Sequence, residues 1–204
     1  MLSRLKLTIR RGASAQIPLR LETPSKVFVP ITSMQRTAPI NITAPGHGLL
    51  NGWRVGVMNA LGMTELNSSW DRLDPSRMYP VDVLGENLIA LPGVNACGFR
   101  PYLSGGQLVY YAPLDLSRFS AARMDVKANL NGVNIASFGT AEGTMQLNET
   151  DQVLWLLLSP AITGELPVGE LLFDIELVKT SGDVVAVCSA ASTLIVLPEI
   201  TTST

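Results

Sequence analysis

The chain contains one histidine, His47, and two cysteines, Cys97 and Cys188. One imidazole excludes a multi-histidine metal centre, and two thiols alone cannot complete a structural zinc site. Neither cysteine has a basic neighbour that would favour its thiolate, so both read as reduced, buried, small hydrophobes. Charge is scarce as well. Asp, Glu, Lys and Arg make up 16% of the residues, against about 25% in an average soluble domain. The 15 basic and 17 acidic residues nearly cancel. Without a basic surplus, neither a nucleic-acid partner nor a polybasic membrane anchor is expected.

Long apolar runs are missing. The longest strongly apolar stretch is Val153–Leu158, far short of the about 20 residues that a membrane-spanning helix needs. Arg4, Lys6, Arg10 and Arg11 leave no room for the apolar stretch of an export signal. The expectation is a protein made and folded in a cytoplasm. Asn41, Asn67 and Asn148 match the glycosylation pattern, a chance match in that setting.

What the chain has is apolar bulk and short period-two segments. Its 204 residues are 47% hydrophobic, enough for one large domain or two small ones at about 150 residues each. Leu5, Leu7 and Ile9 alternate with polar residues, and after Gly12-Ala13-Ser14 so do Ile17, Leu19 and Leu21. This predicts a hairpin with one wet face. Met124-Val126-Ala128 and Phe173-Ile175-Leu177 predict two more half-buried strands. Val153–Leu158 predicts a strand covered on both faces. Val184–Cys188 and Thr193–Leu197 follow. Helix signals are poor, and 17 Gly with 13 Pro punctuate the strands. The fold class expected is all-β.

Composition shifts near residues 35 and 107. Between them the chain is rich in turns, with short strands predicted at Ile40–Thr43, Arg54–Met58, Met78–Val83 and Asn87–Ala90. Ser104-Gly105-Gly106 reads as a break. Residues 36–106 therefore predict an inserted small β-barrel-like module. Residues 1–35 and 107–204 predict a discontinuous β-sandwich of about seven strands.

Chemistry is sparse. His47, in Pro45-Gly46-His47-Gly48, reads as a turn residue rather than a general base or lone metal ligand. Asp71, Asp74 and Glu65 are the carboxylates a glycosidase would use, and Asp82 and Glu86 bracket a turn. Asn148, Glu149 and Asp151 lack the ligand pattern of a calcium loop and read as a plain turn. No catalytic residue, cofactor or metal is expected. The aromatics Trp53, Trp70, Tyr110 and Tyr111, with Trp155 and Leu156 of the apolar run, are the candidate interface residues. As a platform for stacking on sugars, Trp53, Trp70 or Tyr110–Tyr111 would instead serve a carbohydrate-binding or decoration module.

Two stretches resemble known families. Ile31–Leu49, through Ala38-Pro39-Ile40-Asn41-Ile42-Thr43-Ala44-Pro45-Gly46-His47-Gly48-Leu49, resembles a recurrent segment of tailed-bacteriophage structural proteins. It continues through Asn51-Gly52-Trp53-Arg54-Val55 to Gly62-Met63-Thr64-Glu65-Leu66-Asn67. Phage segments of this kind are often described as similar to the first catalytic-cysteine half-domain of ubiquitin-activating enzymes, a likeness of barrel shape without the chemistry. One departure is Trp53, where a polar residue is expected; an exposed Trp53 would mark an interface peculiar to this chain. The flanks Ile9-Arg10-Arg11-Gly12, Pro113-Leu114-Asp115-Leu116-Ser117, Ala122–Lys127, Phe173-Asp174-Ile175-Glu176 and Val196–Thr201 look like the N-terminal sandwich of phage baseplate and fibre-attachment proteins. The resemblance implies a non-enzymatic virion subunit at the tail, neck or fibre-attachment region. Its implied partners are other virion proteins and further copies of itself in a symmetric assembly.

Overall fold

The computed structural model describes residues 4–68 and 75–199. It is all-β, with one short α-helix. The described chain divides into two compact units. One is formed by the chain up to Leu21 and from Asp115 onward, the other by Glu22–Leu114. These boundaries lie away from residues 35 and 107, for a reason visible in the sheets below.

The chain opens the first unit with β1 (Lys6–Arg10) and β2 (Ala15–Leu19). It then builds the second unit from β3 (Glu22–Pro30), β4 (Ser33–Gln35), β5 (Ile40–Thr43), β6 (Arg54–Leu61), β7 (Tyr79–Pro80), β8 (Asp82–Gly85), β9 (Leu88–Leu91) and β10 (Ser104–Pro113). The first unit resumes with β11 (Phe119–Lys127), β12 (Asn134–Gly139), β13 (Met145–Asn148), β14 (Val153–Leu158), helix α1 (Pro160–Glu165), β15 (Gly169–Lys179), β16 (Val184–Ala186) and β17 (Ser192–Leu197). No described helix is long and apolar enough to cross a membrane.

In the first unit the larger sheet runs β1-β17-β15-β11-β12, with β16 also paired to β15. The period-two pattern explains it. Leu7 and Ile9 align with Leu194 and Val196, and Ala122, Met124 and Val126 with Leu177, Ile175 and Phe173. All of these are buried. Arg123, Asp125 and Lys127 take the opposite face and align with Glu176, Asp174 and Leu172. The second sheet is β13-β14-β2. The arrangement is sandwich-like. The expected N-terminal hairpin does not form: β1 pairs in parallel with β17, and β2 pairs with β14. The Gly12 turn carries the chain from one sheet to the other instead of folding it back.

β14 also departs from expectation. Leu154, Leu156 and Leu158 are buried on one face, whereas Trp155 and Leu157 are only half-buried on the other. The second face is thus covered in part, fully at Val153 and incompletely at Trp155 and Leu157, rather than along the whole strand. Helix α1 carries a local start signal in its sequence. Ser159 accepts a hydrogen bond from the Ile162 amide and Pro160 fills the first helical position.

In the second unit no closed barrel forms among the described residues. Two open four-stranded sheets, β3-β10-β6-β7 and β4-β5-β9-β8, enclose one core. The boundary moves out to Glu22 and Leu114 because β3 and β10 pair along their length, from Gln107 with Pro30 to Pro113 with Glu22. Ser104-Gly105-Gly106 is the start of β10 rather than a break. A Cβ on Gly106 would sit 2.9 Å from the Ala60 Cα on β6, so glycine permits a close approach of two strands.

Core packing ranks the residues of the apolar run. Leu156→Ala is expected to cost about 2–5 kcal/mol through the cavity it leaves. Trp155→Ala, at a half-open position, should cost less than half of that. The urea midpoints of the two variants check this order.

Candidate functional site

His47 sits inside the second unit, 2% exposed. Its Nδ1 accepts the Leu49 amide at 3.0 Å, so Nε2 carries the proton and donates to the Gly85 carbonyl at 2.9 Å. The neighbouring groups extend the same network. The Gly46 amide donates to Asn87 Oδ1 at 3.0 Å, and the Tyr110 hydroxyl donates to the His47 carbonyl at 2.7 Å. The Pro45–Gly48 turn is thereby fastened to the β8–β9 hairpin and to β10. With both ring nitrogens engaged, the imidazole has no lone pair or proton to offer a substrate.

The Gly62–Asn67 segment is equally committed. Met63 and Leu66 are buried in the core of the unit. Asn67 pairs with Ala60 as a strand would, accepting from its amide and donating to its carbonyl, both at 3.0 Å. Glu65 Oε1 accepts the Arg100 amide at 3.0 Å and the Arg100 Nε at 3.3 Å. That backbone bond, reinforced by the guanidinium, holds the Glu65 carboxyl below its ordinary value. It is a paired anion, not a poised general acid. Gly62 has a φ of 86°, and a Cβ there would strike the Pro101 carbonyl. Asp71 and Asp74 lie outside the described residues.

The candidate interface residues are not brought together. Trp53 is 1% exposed and belongs to the core of the second unit, which corrects its reading as an exposed marker or sugar platform. Tyr110 is buried beside the His47 turn. Tyr111 is half-buried, with Lys26 Nζ 5.9 Å from its ring centroid. Leu156 is core of the first unit, and Trp155 is half-buried on the outer row of β14. Trp70 lies outside the described residues. Cys188 is buried, and burial raises its thiol, while Cys97 is exposed, contrary to the expectation of two buried thiols. Both are free. The Asn148–Asp151 loop is closed by its own bonds: Asn148 donates to Asp151 Oδ2 at 2.9 Å and accepts the Asp151 amide at 3.0 Å.

Sequence reasoning missed one electrostatic feature. Asp125 on β11 and Asp174 on β15 stand directly opposite each other. They help line an open cavity of about 200 Å³ with Lys127, Asn129 and Leu130. Asp125 accepts hydrogen bonds from Ser137 at 2.7 Å and Asn134 at 3.2 Å. Partial burial, then the charges of Glu176 and Asp125, push the Asp174 carboxyl up, against the pull of Lys127. Arg123 is occupied by Glu176 at 2.6 Å. The two phases of strand alternation were readable, but not which two strands would meet. No group of three or more His, Cys, Asp or Glu side chains among the described residues is arranged to hold a metal ion.

Two outcomes follow from these bonds. His47→Ala leaves the Leu49 amide and the Gly85 carbonyl without partners and should cost about 2–4 kcal/mol in chemical denaturation. Asp174→Asn should stabilise the protein near neutral pH by about 0.2–1 kcal/mol, because like charges directly opposite are unfavourable. The folded state holds the Asp174 proton more tightly than the unfolded chain. Stability is therefore lost as pH rises through that range, and the advantage of the variant shrinks as pH falls. Urea melts of both proteins across the acidic range check this.

No protein-family model matches the chain, and no curated protein matches it.

Proposed function

We propose that this chain is a non-enzymatic structural subunit of a tailed-phage virion, working at the tail, neck or fibre-attachment region. One observation carries the reading. Three polar residues of the phage-like stretches, His47, Glu65 and Asn67, bond to the framework and hold turns together, while large apolar side chains stand exposed at strand ends. Leu61 and Leu103 are adjoining residues of the second unit, with the Leu103 amide donating to the Leu61 carbonyl at 2.9 Å. They are 57% and 74% exposed. Paired apolar residues in water favour burial against a partner surface.

The order of the resembling segments supports the same reading, as does low charge, the compositional mark of an interface core. The partners implied are other virion proteins and further copies of the chain, and a repeated site is satisfied by symmetry. The work is mechanical: each subunit presents the same apolar surface to its neighbour.

The test is light scattering of the purified chain, alone and mixed with the other virion proteins. The parent should form a defined oligomer or a stable co-complex. The double variant Leu61→Asp, Leu103→Asp should keep its circular dichroism and lose at least about tenfold in association, equivalent to about 1.4 kcal/mol. A parent chain that stays monomeric and ignores every virion protein would overturn the reading.

A further inference from the structure

The sequence contains two Asn-Gly dipeptides, Asn51-Gly52 and Asn131-Gly132. Glycine has no Cβ to shield its amide nitrogen, so this is the dipeptide in which asparagine most easily loses ammonia. The structure treats the two very differently. Asn51 Oδ1 accepts the Val83 amide at 2.6 Å, and the Gly52 amide donates to the Val81 carbonyl at 2.7 Å. Val81 is fully buried, and its own amide donates to the Trp53 carbonyl at 2.9 Å. Moving Asn51 toward the Gly52 nitrogen would therefore break bonds anchored in the core of the second unit.

Asn131 lies in the exposed turn between β11 and β12. Its side chain has no hydrogen bond among the described residues. Gly132 is held only by its amide, which donates to the Asn129 carbonyl at 3.0 Å within the same turn. The flanking Leu130 and Val133 are 59% and 86% exposed, so opening the turn uncovers no core. Local opening at such a place lies at the low end of the free energies that a folded protein offers.

We propose that Asn131 is a site of spontaneous deamidation and that Asn51 is protected from it by the fold. The Gly132 nitrogen gives its proton to solvent base and attacks Asn131 Cγ. A C–N bond forms, the Cγ–Nδ2 bond breaks, and ammonia leaves. Water then opens the cyclic imide at either carbonyl, giving aspartate or isoaspartate. The product carries one new negative charge in the turn between the strand that holds Asp125 and the strand whose Asn134 and Ser137 donate to it. An isoaspartate would also add a methylene to the backbone of that turn.

The test incubates the folded full-length chain in mildly alkaline buffer, with a parallel sample in concentrated urea, and maps both by peptide mass spectrometry. In the folded sample the Asn131 peptide should gain one mass unit and split into two isomers. It should do so at least about tenfold faster than the Asn51 peptide. In urea the two rates should converge. The Asn131→Gln variant should lose the acidic species on ion exchange. Equal rates in the folded protein would overturn the proposal. So would an Asn131 peptide that stays intact when folded and converts in urea.

Discussion

The parallel pairing of β1 with β17 is the constraint on which the first unit depends. It joins Lys6 to Thr193 and Arg10 to Leu197, so the sheet closes only when nearly the whole chain is present. Each side supplies alternate apolar residues, Leu7 and Ile9 from one end and Leu194 and Val196 from the other. Neither strand can bury them alone. The Leu5 amide adds a bond to Ser192 Oγ at 3.0 Å, and Ser192 Oγ donates to the Ser189 carbonyl at 2.7 Å. A unit built on contacts so remote in sequence gathers its entropy cost before its hydrophobic reward, which places it among the slower-folding topologies.

The second unit solves a different problem. Its strands are short, and its turns must be held in place by something other than strand length. His47, Asn51, Asn67, Asn87 and Tyr110 supply side-chain bonds to backbone groups that the sheets leave unpaired. Such bonds are individually modest, but leaving the buried backbone groups unpaired would be costly. This is why a turn-rich sequence with one histidine forms a firm core, and why that histidine has no capacity left for chemistry.

Much of the fold was legible in the sequence. Period two marked β11 and β15, and the strands expected at Thr193–Leu197 and Ile40–Thr43 fall where β17 and β5 lie. Pairing was not legible, because alternation tells which face a residue takes and nothing about its neighbour. The N-terminal hairpin failed for that reason. Composition alone also overstated the cover of β14, since an apolar run marks a buried strand whether the second face is covered fully or in part. The glycines at the head of β10 read as a break because close backbone approach to β6 is a tertiary fact. Of the candidate residues, Trp53 read as surface because it replaced an expected polar residue, yet core packing claimed it. The Asp125–Asp174 pair was beyond reach until the register of two strands was known.

The two ends of the second unit lie side by side, because Glu22 at the start of β3 aligns with Pro113 at the end of β10. To the rest of the chain, everything between Leu21 and Asp115 is a closed loop whose ends already meet. Loop length adds only slowly to the entropy of closure. Evolution can therefore exchange, enlarge or delete the whole module as a cassette, provided that the two ends return to the same spacing.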